Sequence, residues 1–390
     1  MKITIVCTLY PPYVLGGAEI STFLLAKGLV KSGHEVSVIT ISDKDEIEQC
    51  EGITVYRVKS RNIYWRYPQR EKPLVEKILW HLIDIYNLGY RSKIHQLISD
   101  ISPHIIHTGN LCGLSCIIWH IAKKFQIPIV HTLRDYYLLC PQQSMIKEAR
   151  SCDRQCLVCY SYSLAKKMLS QHVDAVVGIS NFILNRHLQF SYFKNASYRC
   201  VIPNSIVKLP IIQKSKQFRI GYIGRLSPEK GIELMVEAFM KSNHQGYQLV
   251  IAGEGNKQYV ARLKDKFQLE SVHFIGKSNP LDFFNLIDLL IVPSLWDEPF
   301  GRVVIESYVF HIPVLIADNG GLSELHKLGV SKLFSTESFE PLQKLLNEYF
   351  SGDLTFDESI FDVIINRYTE EKIVSAYNEL YQKLLLNSNE

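Results

Sequence analysis

The chain has 390 residues, of which 47% are hydrophobic and 21% charged, and its formal net charge is +4. This length exceeds one ordinary hydrophobic core and favours two domains, while the nearly balanced charge argues against a dedicated nucleic-acid-binding protein. The N-terminus begins directly with strand-like residues and lacks the layout of a signal peptide, and no apolar stretch is long enough to span a bilayer. We therefore expect a cytoplasmic protein.

The N-terminal segment predicts a βαβ unit. A buried strand over Ile3–Leu9 is followed by a loop that ends in Gly16-Gly17, by a helix over residues 18–32 and by a second strand over residues 36–41. The diglycine stands at the carboxyl end of the first strand, but it is not part of a G-x-G-x-x-G fingerprint. Taken alone, it is either a plain turn or a phosphate-facing loop.

The segment from Arg57 to Lys93 differs in composition from the rest of the chain, because basic residues alternate with tyrosine and tryptophan as far as Trp80. This composition suits an anionic membrane surface. The alternative is a solvated loop that leads into an amphipathic helix covering the first domain.

Two further strands precede polar residues. The strand over Ile127–Leu133 ends at Arg134-Asp135, and His131 within it is interpreted as a packed core histidine. We expect Val173–Ile179 to be the last strand of the first domain, with Ser180 or Asn181 as the N-cap of the next helix.

Nine cysteines in a chain without a secretory signal indicate reduced thiols or metal ligands rather than disulfides. Four of them, Cys140, Cys152, Cys156 and Cys159, lie within twenty residues. They would either bind a structural zinc ion or pack a long loop as unligated thiols. No cluster of histidines or carboxylates with an open position accompanies them, so we expect no catalytic metal.

The second half repeats the order strand, loop, helix. A strand over Phe218–Ile223 is followed by a loop from Gly224 to Gly231 that contains Arg225 and Lys230, and then by a helix. A forked guanidinium and a mobile ammonium beside a helix N-terminus predict a diphosphate site.

The segment 288–325 has the same order. A buried strand over residues 289–293 leads to a loop that carries Glu298, and a helix over residues 302–310 carries Glu306. Two carboxylates cannot neutralise a phosphate, but they can accept hydrogen bonds from sugar hydroxyls. Ligands bind at this end of the strands in open parallel sheets, and we expect Gly320-Gly321 to permit a close approach to the backbone.

These motifs together resemble the donor site of family 4 glycosyltransferases. The family pattern E-x-F-G-x4-E corresponds here to Glu298, Phe300, Gly301 and Glu306, and G-G-x-x-E corresponds to Gly320, Gly321 and Glu324. The pattern G-R-L-x3-K-G corresponds to Gly224, Arg225, Leu226, Lys230 and Gly231. The pattern V-x-P-N-G corresponds to Val201, Pro203, Asn204 and Ser205, with serine in place of the last glycine. The resemblance implies the α/β GT-B architecture, with two doubly wound Rossmann-like domains facing a central cleft. It assigns residues 1–205 to an acceptor-binding domain, 206–365 to a nucleotide-sugar-binding domain and 366–390 to a helix that returns to the first domain. Separately, the polar composition of residues 213–217 indicates a linker.

The resemblance also implies roles. Arg225 and Lys230 would hold the donor's diphosphate and replace a divalent metal, Glu306 would bind the ribose, and Glu298 the transferred sugar. The remaining donor-site or cleft residues would be Gly16, Gly17, Asn204, Gly224, Gly253, Ile275, Phe300 and Gly301. Arg134 stands where similar enzymes often carry a histidine, and it is expected at the sugar or acceptor together with Asp135.

The implied reaction moves a sugar from a UDP- or GDP-sugar to a hydroxyl of a glycan or lipid-linked acceptor, with retention of configuration and without a cofactor. Cell-surface polysaccharide (O-antigen, capsule or exopolysaccharide) or glycolipid synthesis is the expected process, at the inner face of the cell membrane. A nucleotide-sugar epimerase, a glycosidase and a catalytically silent sugar-nucleotide-binding protein on the same fold remain the alternatives.

Overall fold

A computed structural model of the chain describes residues 1–67, 72–207, 218–327 and 329–387. Its strands are β1 Lys2–Val6, β2 Glu35–Ser42, β3 Glu46–Cys50, β4 Ile53–Lys59, β5 Ile105–Thr108, β6 Ile129–Leu133, β7 Ile146–Lys147, β8 Arg150–Ser151, β9 Ala175–Gly178, β10 Tyr198–Val201, β11 Arg219–Ile223, β12 Gln248–Ala252, β13 Val272–Gly276, β14 Leu289–Val292, β15 Val314–Ala317 and β16 Ser331–Phe334. Its helices are α1 Gly17–Lys31, α2 Leu74–Ile85, α3 Arg91–Ile101, α4 Ile117–Lys124, α5 Leu157–Leu169, α6 Asn181–Gln189, α7 Ile232–Met240, α8 Lys257–Lys266, α9 Pro280–Phe284, α10 Arg302–Val309, α11 Glu340–Ser351, α12 Phe361–Ile365 and α13 Glu370–Asn387.

The chain divides into two compact units. The first contains the described residues of 1–145, 152–205 and 370–390, and the second those of 146–151 and 206–369. The boundary near the C-terminus lies after Thr369, whereas the predicted boundary lies after residue 365. Residues 366–369 therefore belong to the second unit. There Ile206 N donates to Tyr368 O at 3.0 Å. The predicted linker at residues 213–217 lies outside the described residues.

Among the described residues, the first unit is built on an eight-stranded sheet in the order β10-β9-β6-β5-β1-β2-β4-β3. All its neighbours are parallel except β3 and β4. The central strands β5, β6 and β9 are buried throughout, as expected for parallel strands with both faces covered. The strand order reverses between β1 and β5, and ligands bind beside such a reversal, at the carboxyl edge of the sheet.

Strand β10 was not anticipated. Val173–Ile179 was expected to hold the last strand of the first domain, but Tyr198–Val201 pairs in parallel with the strand formed there, β9. The sequence YRCV is only half-buried at the sheet edge, so it lacks the apolar run on which the prediction relied. The N-cap at this point is Ser180, whose Oγ accepts from Ile183 N at 3.2 Å.

The last helix, α13, completes the core of the first unit. Val374, Tyr377 and Tyr381 are buried in the same cluster as the strand residues. A Cβ added at Gly28 of α1 would lie 2.4 Å from Val374 Cγ2, so this glycine permits the close approach of the two helices.

In the described residues of the second unit, six strands form a fully parallel sheet in the order β13-β12-β11-β14-β15-β16. Strands β14 and β15 are buried over their whole length. Here the order reverses between β11 and β14. The loops after these strands are those that carry the cation pair and Glu298, so the topology brings them to one crevice.

Candidate functional site

Backbone contacts join the loops at the carboxyl edge of the second sheet. Leu226 N donates to Glu254 O, and Leu295 N to Glu229 O, both at 2.8 Å. Gly231 has a φ of +70°, and a Cβ there would lie 1.9 Å from Pro293 O. A Cβ at Gly253 would lie 1.8 Å from Gly224 O. No other residue type fits either position, so these glycines fix the loops against one another.

Lys230 lies beside Glu298 at this edge. Its Nζ is 2.8 Å from Glu298 Oε1, and the two side chains are 22% and 13% exposed. Ser294 Oγ also donates to Glu298 Oε1, and the ammonium stands 5.3 Å from the centroid of the Trp296 ring. The prediction placed the cation at the diphosphate and the carboxylate at the sugar, and the structure pairs them directly.

Arg225, in contrast, presents its side chain to solvent. Its carbonyl accepts from Tyr222 Oη at 2.8 Å, which holds the loop's backbone. Within the described parts of the chain, the guanidinium has no hydrogen-bond or ion-pair partner, and Glu229 accepts from Ser227 Oγ at 2.5 Å instead. A fixed backbone with a free guanidinium suits the capture of an anion.

Glu306 is held on its own helix. Arg302 Nε donates to Glu306 Oε1 at 2.6 Å, one turn away, and the side chains are 18% and 25% exposed. Gly301, the N-cap of α10, has a φ of +104°, and a Cβ there would lie 2.3 Å from Leu322 Cδ2. Glycine is therefore required at this position, because a larger residue would clash with Leu322.

Phe300 does not have the predicted substrate-facing position. Its side chain is 5% exposed and its ring packs against that of Tyr368 at 6.3 Å between centroids. We correct its role to that of a core residue beneath the Glu298 loop.

The Gly320-Gly321 turn supports the same loop. Gly321 N donates to Glu298 O at 2.7 Å, and a Cβ at Gly320 would lie 2.7 Å from the backbone of Asp297. Asn319 Nδ2 donates to Ser294 O at 2.7 Å. The close approach that the diglycine was expected to permit is thus made by the protein's own backbone. Neither Ser294 nor Asn319 was identified from the sequence, because each acts through a partner distant along the chain.

The edge of β13 contains the residues expected near a nucleotide base. Ile275 is 43% exposed, and nothing lies within 4 Å of a Cβ built at Gly276. Gly253 N donates to Gly276 O at 2.7 Å. This leaves an exposed apolar side chain above a constrained loop.

In the first unit, a cluster of polar side chains lies at the carboxyl edge of the sheet. Asn110, after β5, donates from Nδ2 to Asp135 Oδ2 at 2.6 Å, and Thr8 Oγ1 donates to Asn110 Oδ1 at 3.1 Å. Tyr137 N donates to Asp135 Oδ1 at 2.8 Å. Burial raises the pKa of Asp135 to about 6. Asn110 was missed in the sequence, where an asparagine after a strand is typical of an ordinary turn.

Arg134 stands beside this group. Its Nε is buried without a hydrogen-bond partner in the described structure. Burial raises the pKa of Glu19, and the charge of Arg134 opposes this shift only in part. Glu19 Oε2 accepts from Gly16 N at 2.9 Å, and nothing lies within 4 Å of a Cβ at Gly16. The Gly16-Gly17 turn is thus a helix N-terminus with one open side.

Two other predicted residues lie inside the first unit. Asn204 is 8% exposed, and its Oδ1 is buried without a partner among the described residues. His131 Nδ1 is 2.8 Å from Thr108 Oγ1 and its ring packs against Trp119. The interpretation of His131 as a packed core residue is confirmed.

Three of the four clustered cysteines are neighbours. Burial, followed by the neighbouring Cys140 and Cys156 thiols, raises the pKa of Cys159, and Cys159 N donates to Cys156 Sγ at 3.5 Å. Hydrogen bonds from the backbone, that of Cys159 first, lower the pKa of the exposed Cys156 thiol. In the parts of the chain that the structure describes, no group of three or more His, Cys, Asp or Glu residues is placed to hold a metal ion. Unligated thiols stay our prediction, and metal analysis tests the zinc alternative.

The basic-aromatic segment is buried in part. Arg57 is 3% and Trp80 2% exposed, and Arg57 pairs with Glu48. The Arg66 guanidinium lies 5.0 Å from the Trp80 ring centroid. Arg57 and Trp80 therefore do not face a membrane, whereas Lys59, Arg61 and Lys77 of the same segment are exposed. Arg70 lies outside the described residues.

Comparison with known proteins identifies the family. The sequence profile for Glycosyltransferase Family 4 matches residues 15–206, and that for Glycosyl transferases group 1 matches residues 208–355. The chain belongs to the family 4 glycosyltransferases. A relative described as an uncharacterized 42.6 kDa protein in the cps region of Klebsiella pneumoniae is 35% identical over 98% of this chain and 99% of its own length. Glycogen synthase of Mycobacterium tuberculosis is 32% identical over 83% and 80%.

Solved structures agree on the fold. The crystal structure of Anabaena HepE in complex with UDP matches with a TM-score of 0.74 and 19% identity, over 98% of this chain and 100% of that one. The glycosyltransferase has the GT-B fold with two Rossmann-like domains, as predicted. Of the helices that the structure describes, none has the length and apolar character needed to cross a membrane.

Proposed function

We propose that this family 4 enzyme transfers a glycosyl unit from a nucleotide diphosphate sugar, a UDP- or GDP-sugar, to an acceptor hydroxyl with retention of configuration. The observation that carries the proposal is the group at the carboxyl edge of β11 and β14. A free guanidinium at Arg225 and the Lys230 ammonium stand on one glycine-locked loop, and the Glu298 carboxylate contacts the ammonium. Two cations on a fixed loop suit the negative charge of a diphosphate.

The charge of each side chain determines the role that we propose for it. Arg225 and Lys230 stabilise the negative charge that grows on the diphosphate as the glycosidic bond breaks, the role that a divalent metal has in other sites. Glu298 and Glu306 can only accept hydrogen bonds from neutral hydroxyls, so we assign them to the transferred sugar and to the ribose. Because the backbone of the Gly224–Gly231 loop is already held in place, it needs little rearrangement when the donor binds.

The other predicted positions complete the proposal. Gly224, Gly253 and Ile275 border the base, with Gly301 holding the start of the Glu306 helix. On the first unit, Gly16, Gly17, Arg134 and Asp135 are proposed to meet the acceptor or the donor's sugar, and Asn204 supports them from a buried position. Asp135, with a pKa of about 6, can exchange a proton near neutral pH.

Cell-surface polysaccharide or glycolipid is the acceptor class that we propose. The cps-region location of the Klebsiella relative and the glucan product in the name of the mycobacterial relative support a glycan acceptor, and the UDP in the HepE complex supports a nucleotide sugar as donor.

Turnover of labelled UDP- and GDP-sugars, with and without a panel of lipid-linked sugars and polysaccharide fragments, tests this function. We expect release of the nucleotide diphosphate to require both one donor and one acceptor, and product NMR to show the donor's anomeric configuration. Conversion of the donor sugar without acceptor would indicate an epimerase. Binding without turnover across the panel would indicate a silent sugar-nucleotide-binding protein.

A further inference from the structure

Two neighbouring helices of the first unit turn apolar side chains to solvent. Ile78, Leu79 and Leu82 on α2, and Leu157, Leu164 and Met168 on α5, are between 45% and 86% exposed. We call these six residues the apolar helix face. On α2, Leu82 follows Leu79 by three residues and Ile78 by four. On α5 the steps are seven and four residues, so each set lies on one side of its helix.

The inner sides of the same helices carry the charges. Asp84 of α2 and Lys166 of α5 are both fully buried, with Lys166 Nζ 3.8 Å from Asp84 Oδ2. Tyr162 Oη donates to Asp84 Oδ2 at 3.2 Å, and the Lys166 ammonium lies 3.8 Å from the Tyr162 ring centroid. These contacts join α2 to α5 and fix their relative rotation. A surface helix in water normally has the reverse pattern, with apolar residues inside and charges outside.

The charges bordering the apolar helix face are mainly basic. Lys77 on α2 and Arg154 before α5 are exposed, as is the acidic Asp153 beside Arg154, and Lys167 on α5 is half-buried. Glu76 is offset by Lys72 at 3.6 Å. A two-fold contact between two copies of this face would bring like charges together, whereas an anionic surface would be attracted to them.

We propose that the apolar helix face inserts into the interfacial layer of an anionic lipid bilayer, with α2 and α5 lying in the membrane plane. Helices of 12 and 13 residues extend about 18–20 Å at about 1.5 Å per residue, which suits a helix that lies on the membrane rather than one that spans it. This inference rests on the side chains of the first unit and does not depend on the proposed transfer reaction.

Flotation of the full chain with vesicles tests the proposal. Vesicles of phosphatidylcholine with phosphatidylglycerol would be compared with phosphatidylcholine alone. The variant carrying Ile78→Ser, Leu82→Ser, Leu164→Ser and Met168→Ser should lose at least about tenfold in partitioning to the anionic vesicles, because four membrane-facing apolar groups are removed. A control with Val363→Ser and Leu386→Ser changes apolar residues of similar exposure, 60% and 68%, elsewhere, and should partition as the wild type does.

The charge contribution has a separate variant. Lys77→Glu with Lys167→Glu should weaken binding to anionic vesicles but hardly change binding to neutral ones, and high salt should reproduce that loss. Circular dichroism and thermal melts confirm that each variant is folded. Absence of wild-type flotation, or equal flotation by the fourfold variant, would overturn the proposal. A wild-type dimer that the fourfold variant dissociates would assign the face to a second copy instead. Transfer activity on a water-soluble acceptor should be unchanged in both variants, so a failure here differs from a failure of the proposed function.

Discussion

Lys230 has an anionic and an aromatic neighbour, the Glu298 carboxylate at 2.8 Å and the Trp296 ring at 5.3 Å. Both side chains of the ion pair are largely shielded from solvent, so their attraction exceeds that of an exposed surface pair. An incoming diphosphate would compete with Glu298 for the ammonium and would repel the carboxylate. The carboxylate is then free to accept a hydrogen bond from a neutral sugar hydroxyl. The pair therefore couples the two proposed roles rather than contradicting them.

Asp135 predicts a pH dependence of stability. Burial raises its folded pKa to about 6, above the ordinary value near 4, so the folded chain binds the extra proton more tightly than the unfolded chain does. The contribution of this group to the free energy of unfolding should therefore fall as the pH rises from about 4 to about 6, by at most about 3 kcal/mol. Urea unfolding between pH 4 and pH 7 measures it. In Asp135→Asn that component of the slope should disappear, and an unchanged slope would show that Asp135 is ionised throughout.

Cys156 should be the most reactive thiol among the four clustered cysteines. It is exposed, and backbone hydrogen bonds at the start of α5 lower its pKa, which increases the thiolate fraction near neutral pH. Iodoacetamide at pH 7.5 should modify Cys156 first, and Cys156→Ser should remove the fast phase, with Cys159→Ser as the matched control. Metal analysis of the same preparation should show far less than one zinc per chain. One tightly bound zinc per chain, with thiols protected from labelling, would restore the zinc alternative.

At the scale of elements, glycines hold the loops of the second unit together. Three strand-to-helix loops meet where the order of the sheet reverses, and their backbones are closer than any side chain permits. The cation pair is thus carried on a loop that has little freedom to move. The rigidity comes from the three loops packing together, since no single hydrogen bond provides it.

Gly231→Ala tests that rigidity. Both Gly231 and Gly246 have positive φ, +70° and +80°, but only Gly231 would drive its Cβ to 1.9 Å from another backbone atom. Gly246→Ala should cost about 1 kcal/mol of unfolding free energy for its backbone strain alone. Gly231→Ala should cost clearly more and should also weaken binding of nucleotide diphosphate, because Lys230 moves with the loop. Equal effects of the two substitutions in chemical denaturation and in calorimetry would contradict the account.

The sequence predicted buried elements better than edges. Strands such as β5, β14 and β15 are continuous apolar runs whose burial on both faces leaves a clear pattern. Strands β3 and β10 lie at the two edges of the first sheet, where half of each strand faces solvent and the pattern fades. The short β7–β8 hairpin has only two residues in each strand, too few to give any periodic signal.

At the scale of the whole molecule, the chain begins and ends in the first unit. Tyr381 Oη and Thr132 Oγ1 both lie within hydrogen-bond distance of the buried His107 ring, at 2.6 and 2.7 Å, so α13 is joined to the sheet by polar contacts as well as by packing. The resemblance implied that the last helix returns to the first domain. It could not give the details of this contact, because they depend on residues more than 200 positions apart.

The candidate site was predictable only in part. Short motifs identified Arg225, Lys230, Glu298 and Glu306 because each motif is local in the sequence. The direct pairing of Lys230 with Glu298 spans 68 positions and could not be read from either motif. Phe300 was misassigned because a motif does not state which way its aromatic side chain points. The burial of Arg57 and Trp80 was missed for the same reason, since composition does not show which side chains point inward.

The central claim is that cations on the Gly224–Gly231 loop bind the diphosphate while Glu298 serves the sugar. Calorimetry with bare UDP and GDP, on the full-length chain and its variants, tests it most directly. The control is Lys266→Ala, which removes a lysine from a more exposed ion pair of similar length, with Glu233 at 2.7 Å, elsewhere in the second unit and should leave affinity unchanged.

Lys230→Ala and Arg225→Ala should each weaken the preferred nucleotide by about 1.5–3 kcal/mol, the value of one charge-assisted contact. Glu298→Gln should leave this affinity intact or increase it, because it removes the anion that competes for Lys230, while turnover of the sugar donor falls. Loss of nucleotide binding in Glu298→Gln, together with wild-type affinity in Lys230→Ala, would contradict the assignment of the two roles.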